Sequence, residues 1–168
     1  MRYALCALHS APCSLPENYM KEYTIFPLVV GINETDQGVM TYLRDYGKRI
    51  YLPIYVFYLS GGDKNILDDN KIIELDGDAN ILEGIEVILS PGHSVGGQSV
   101  AVNTAEGQAI ITGFCCNDKN FPSTGPAIAP GVHIDLIEAY DSIQKIRQMA
   151  DILIPLHDLS IGKMKQIP

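Results

Sequence analysis

Apolar and polar residues follow one another along this chain in two rhythms. Between Asp135 and Ala150 the apolar positions Leu136, Ile137, Tyr140, Ile143, Ile146 and Met149 recur every three or four residues, the spacing that lines one face of an α-helix. Asp135 and Glu138 fall in its first turn and Lys145 and Arg147 towards its end, the charge order that suits the helix dipole. Elsewhere the rhythm is that of strands. "RIYLPIYVFYL", residues 49–59, is rich in β-branched and aromatic residues, stops at "SGGDKN" and restarts as "ILDD", which predicts a β-hairpin closed by a glycine turn. "GIEVILSPG", "GQSVAVNTAEG" and "QAIITGF" predict three more strands, with Glu106 and Gly107 at the turn between the last two. "DILIPLHD" reads as a buried strand that stops at Pro155 and delivers His157 and Asp158 into the loop beyond. Residues 2–8 alternate loosely and predict a first strand, followed by an irregular, proline-bearing stretch to about Pro27. Strands, one long helix and a closing strand predict an α/β or α+β layered fold.

Composition narrows the class. The 168 residues suit a single domain, 1–168. With 46% hydrophobic and 19% charged residues, the chain has the makings of a packed core rather than of a disordered segment. A formal charge of −8, with lysines and arginines scattered rather than clustered, argues against nucleic acid as a partner. The longest apolar run, residues 50–60, contains a proline and is too short to cross a bilayer. The N-terminal stretch lacks the apolar core of a signal peptide, so the expected location is the cytoplasm and the four cysteines are expected as thiols or metal ligands.

Candidate chemistry gathers at the strand ends. His93 follows "PG" just past a strand, held by rigid elements while its ring projects from the sheet edge, a placement that suits a metal ligand. His157 ends another apolar strand and precedes Asp158, an acid placed to orient its ring. Cys115 and Cys116 are neighbours; vicinal cysteines rarely form a relaxed disulfide, and no C-x-x-C motif points to redox work. Cys6, His9 and Cys13 make half a zinc site, read more plainly as buried thiols and a surface imidazole. His133 is read as part of the cap region of the long helix, Gly96 and Gly97 as a tight turn, and Tyr51, Tyr55 and Tyr58 as divided between core and sheet edge.

"ILEGIEVILSPGHSVGGQSVAVNTAEGQAIITGF" resembles the strand, ligand histidine and two-strand segment of the metallo-β-lactamase superfamily, in particular its N-acyl-homoserine-lactonase-like branch. "LPIYVFYLSGGDKNILDD" is similar to that family's opening hairpin, and "ADILIPLHD" to its closing strand and last ligand histidine. The resemblance implies an αββα sandwich whose loops hold two metal ions, commonly zinc, with a bridging hydroxide that attacks lactones, thioesters or phosphoesters at neutral pH. His93 and His157 match ligand histidines, and Asp69 matches the aspartate that supports the site from behind.

Two departures accompany the match. The motif H-x-H-x-D-H is absent, and only fifteen residues separate Asp69 from Ile85 where the family places helices and a histidine-rich loop. An internal deletion with its junction near 69–71 is the expectation that follows. At the position of the bridging aspartate, Thr112 and Gly113 are followed by Phe114 and then Cys115; a thiolate binds zinc and a phenyl ring does not. The inherited positions therefore supply His93, His157 and Cys115 or Cys116, enough for at most one zinc or iron ion, with Asp69 and Asp158 in support. Two functions follow: a metal-dependent hydrolase of a small lactone, ester or thioester, or a catalytically silent binding or oligomerisation module. Loss of a helical layer would bare apolar sheet surface, so a homo-oligomer is expected.

Overall fold

The computed structural model describes residues 21–61 and 75–168. Two sheets and one long helix organise them. Strand β1 (Tyr23–Asp36) and strand β2 (Arg49–Gly61) form a long antiparallel ribbon, in register from Tyr23 opposite Gly61 to Asp36 opposite Arg49, with a bulge between Val29 and Gly31. A short helical turn, α1 (Gln37–Met40), sits at its tip and is capped by the Asp36 carboxylate, which accepts from Gly38 N at 2.7 Å.

The second sheet has five strands in the order β3 (Ala79–Leu82), β4 (Ile85–Leu89), β5 (Gln98–Thr104), β6 (Gly107–Ile111) and β7 (Ile152–Ile154). All its neighbours are antiparallel except β6 and β7, which run parallel. The crossover between those two contains a 3-10 turn at Asp118–Asn120 and the helix α2 (Leu136–Met149). Such a crossover is what joining two parallel strands requires.

Alternation along the central strands fills two cores. Ile85, Val102, Ala109, Ile111 and Ile154 pack against Tyr23, Ile25 and Tyr55 of the ribbon. On the opposite face Ile88, Ala101 and Ile110 pack against Phe114, Ala127, Ile143 and Ile146. The layers are thus ribbon, sheet and helix. The expected deletion removes one helical layer of the αββα sandwich that the resemblance implies; among the described residues none covers the outer face of the ribbon, where Leu28, Ile54, Val56 and Tyr58 are about half exposed.

The segment 49–59 forms a strand and pairs with β1, which precedes it. Two expectations are corrected here. The stretch read as irregular up to Pro27 is strand from Tyr23 onward. Pro27 and Pro53 are admissible because, among the described residues, the ribbon has two strands and each is an edge beyond the bridge from Ile25 to Ile167, so a missing N–H interrupts no continuing ladder. The restart at "ILDD" and the strand expected at 2–8 lie outside the described residues. On α2 the buried positions are Ala139, Ser142, Ile143 and Ile146, whereas Ile137, Tyr140 and Met149 are exposed. The helix turns its small residues inward because it packs on main chain: Ser142 Oγ donates to Pro91 O at 2.8 Å, and a side chain at Gly92 would run into the backbone of Ala139. No helix among the described residues is long and apolar enough to cross a membrane.

Candidate functional site

Strand directions decide which loops can meet. β4 and β6 both run antiparallel to β5, and β7 runs parallel to β6, so the chain leaves β4, β6 and β7 at one edge of the sheet. Those three exits carry His93, the Cys115–Cys116 pair and His157.

His93 stands on a turn that only glycine allows. Gly92 has φ of +104°, and its carbonyl accepts from the backbone N–H of Ile134 and Asp135 at 2.8 and 3.1 Å, which locks the turn onto the start of α2. The ring Nδ1 of His93 lies 2.7 Å from Val132 O; a carbonyl only accepts, so Nδ1 carries the proton. Gly96 and Gly97 close the same loop, with Ser90 N donating to Gly97 O at 2.7 Å, as a tight turn rather than an anion cradle.

His157 is held in the same manner by a different element. Its Nδ1 lies 2.9 Å from Pro53 O on β2, and its Nε2 lies 3.7 Å from the Sγ of Cys115, which is partly exposed. The backbone N–H of His157 donates to Cys116 O at 3.0 Å, tying the two loops together. Burial acts to lower the pKa of His157, yet hydrogen bonds to the Cys115 thiol and Pro53 carbonyl, with the charge of Cys115, outweigh it and hold the ring above its ordinary value. The charge of His93 opposes that shift.

Cys116 takes no part in this rim. Its thiol is fully buried in the helix-side core and bonded to Thr112 Oγ1 at 3.0 Å. Burial pushes its pKa up to about 12, so it stays a neutral thiol, a poor ligand, because metals bind thiolate. The expectation that Asp158 orients the ring of His157 is also corrected. The carboxylate is buried and spent on the loops: Oδ2 accepts from Asp118 N at 2.6 Å, and Oδ1 from Ser160 N at 2.7 Å and Ser160 Oγ at 2.5 Å. Tyr55 reinforces this corner by donating to Asp158 O at 2.7 Å and accepting from Gly162 N at 2.8 Å. His133 keeps to itself, its Nδ1 3.0 Å from Pro130 O and its ring edge-on to Tyr42. Asp69, Cys6, His9 and Cys13 lie outside the described residues.

The residues that fix the two imidazoles, Val132 and Pro53, act through backbone carbonyls. Nothing in their side chains marks them for this role.

A metal centre of the kind the resemblance implies does not fit these donors. Among the described residues no group of three His, Cys, Asp or Glu side chains is arranged to hold a metal ion. A tetrahedral zinc site needs four ligands or three plus water, and the chain's histidines at 9, 93, 133 and 157 cannot form H-x-H-x-D-H. Cys115 and His157 form a thiol–imidazole pair, and His93 leaves the sheet at the same edge.

The fold is similar to that of N-acyl homoserine lactone hydrolases of known structure. It is similar to the crystal structure of a quorum-quenching N-acyl homoserine lactone hydrolase, with a TM-score of 0.61 and 14% identity over 83% of this chain and 94% of that one. A quorum-quenching N-acyl homoserine lactone lactonase gives a TM-score of 0.60 at 14% identity, again over 83% and 94% of the two chains. A third, an N-acyl homoserine lactone hydrolase with N-hexanoyl-L-homoserine bound at its catalytic metal center, gives 0.59 at 13% identity over 83% and 95%. At such identities the likeness defines the fold and leaves the chemistry to this chain's own residues. No protein-family model matches the sequence, and no curated protein matches it.

The His157 shift has a direct check. Its ring protons, followed by NMR against pH, are expected to titrate above 6.5, the ordinary value for imidazole, and the midpoint is expected to fall in Cys115→Ala. A folded-state pKa above the unfolded one contributes stability that is fully present below the unfolded value and lost as pH rises through the folded value. A wild-type midpoint at or below the ordinary value would contradict the pairing.

Proposed function

We propose that this protein is a hydrolase-like member of the lactonase fold that acts on a small lactone, ester or thioester at the rim formed by His93, Cys115 and His157, without a dinuclear metal centre. The observation that carries this reading is the meeting of Cys115 and His157 at the sheet edge where three strand exits converge, Sγ 3.7 Å from Nε2. An imidazole with one nitrogen tied to a carbonyl presents the other as a base or acid to a reacting group, and such a group contributes on the order of 10²–10⁴-fold to acyl transfer. The donors the sequence offered for a single zinc or iron ion shrink to His93, Cys115 and His157, since Cys116 is buried and neutral, and among the described residues no three are grouped to hold a metal ion.

Metal analysis of protein purified without chelator, combined with hydrolysis assays on an aryl ester, a thioester and a homoserine lactone, tests this. The expected result is clearly substoichiometric zinc and iron, with turnover of at least one substrate that persists in EDTA. One equivalent of bound metal together with EDTA-sensitive turnover would restore the metal-dependent reading, and no turnover of any substrate would remove the hydrolase reading.

The ribbon favours a second reading, in which the fold also serves as an oligomerisation module. Register puts Phe26 opposite Tyr58 and Leu28 opposite Val56 on its outer face, with Ile54 two residues before Val56 on β2. Leu28, Ile54, Val56 and Tyr58 are 50%, 45%, 52% and 52% exposed, and an apolar face of this kind is normally covered. We take it as what an internal deletion of a helical layer would leave, and a second copy of the chain as its cover. Light scattering is expected to give a dimer that dissociates in Leu28→Glu/Val56→Lys; a monodisperse wild-type monomer would count against this reading.

A further inference from the structure

We propose that Cys115 is an acyl-accepting nucleophile and His157 Nε2 its base, so that at this rim the attacking group is a thiol. This inference rests on the hydrolase reading and names the groups that would carry it.

Three features of the geometry point to it. Nδ1 of His157 donates to Pro53 O at 2.9 Å, so the neutral ring has its lone pair at Nε2, the nitrogen that faces sulfur. Nε2 and the Cys115 Sγ are 3.7 Å apart, and Cys115 is only partly buried. The neighbouring Cys116 provides an internal contrast: it is fully buried and bonded to Thr112, so one residue of the pair is built into the core and the other is presented. A nucleophile and base within hydrogen-bond reach, with the base oriented by a third group, is the general arrangement for covalent catalysis. Here the third group is a main-chain carbonyl in place of a carboxylate.

The step balances without any further reagent. The Cys115 proton passes to His157 Nε2 as sulfur attacks the acyl carbon. The carbon–oxygen or carbon–sulfur bond to the leaving group breaks, and the leaving group takes its proton from Nε2. A water molecule then gives a proton to His157 and its oxygen to the acyl carbon, and the thiol is regenerated as the acid departs.

The test uses the intact protein in EDTA with p-nitrophenyl acetate, reading both nitrophenolate release and the site of acetylation by peptide mass spectrometry. The expected result is one acetyl group on Cys115 and none on Cys116, with the adduct lost in Cys115→Ser. In His157→Ala the acetylation rate is expected to fall by about a hundredfold and to recover on addition of free imidazole, which a purely structural role for the ring would not produce. Circular dichroism of both variants guards against misfolding, and the wild-type adduct map stands without them. Turnover with no acetyl on Cys115, or with full activity in Cys115→Ser, overturns the nucleophile and leaves the hydrolase reading in place. Acetyl-Cys115 that forms and is never released upholds the pair and removes the hydrolase reading. Neither adduct nor turnover removes both.

Discussion

The contact on which the rim depends is the hydrogen bond from His157 Nδ1 to the carbonyl of Pro53. It joins residues more than a hundred positions apart in sequence, one on the ribbon and one past the last strand of the five-stranded sheet. A backbone carbonyl can only accept, so this one bond settles three things together: which ring nitrogen carries the proton, which way the ring faces, and how the ribbon sits over the end of β7. The Tyr55 hydroxyl, two residues further along β2, fastens the same corner by bonding Asp158 O and Gly162 N. Ring and ribbon are positioned by rigid elements rather than by a free loop, the condition for a group that must hold its geometry.

Much of the fold was legible in the sequence where a period and its punctuation agreed. The three-and-four spacing with acids at one end gave α2, and β4 to β6 followed from short β-branched runs separated by glycine turns. The face of α2 was less legible. Hydrophobic periodicity selected Ile137, Tyr140 and Met149, but a helix that packs against main chain buries its smallest residues, here Ala139 and Ser142. β1 was missed because Pro27 and its surroundings resemble a loop when tertiary pairing is unknown.

At the site the sequence located the chemistry-bearing side chains and missed what holds them. Cys115 and Cys116 are indistinguishable by type, and only the backbone path after β6 decides that one sulfur meets an imidazole while the other enters the core. Asp158 looked like the natural partner of the histidine beside it, yet its carboxylate closes two loop N–H groups instead. Carbonyl partners such as Val132 and Pro53 leave no mark in a sequence, because every residue has one. The likeness to N-acyl homoserine lactone hydrolases at 13–14% identity extends to the fold, and a shared fold does not by itself fix the chemistry of the site.

The central claim is that Pro53 fixes the tautomer of His157 and so aims Nε2 at sulfur. Multiple-bond ¹H–¹⁵N correlation spectra of the ring, recorded at a pH above its titration, report the tautomer directly. The account predicts the neutral Nδ1–H form for His157. A neutral ring protonated at Nε2 would contradict it, because the nitrogen facing Cys115 would then have no lone pair to receive the thiol proton.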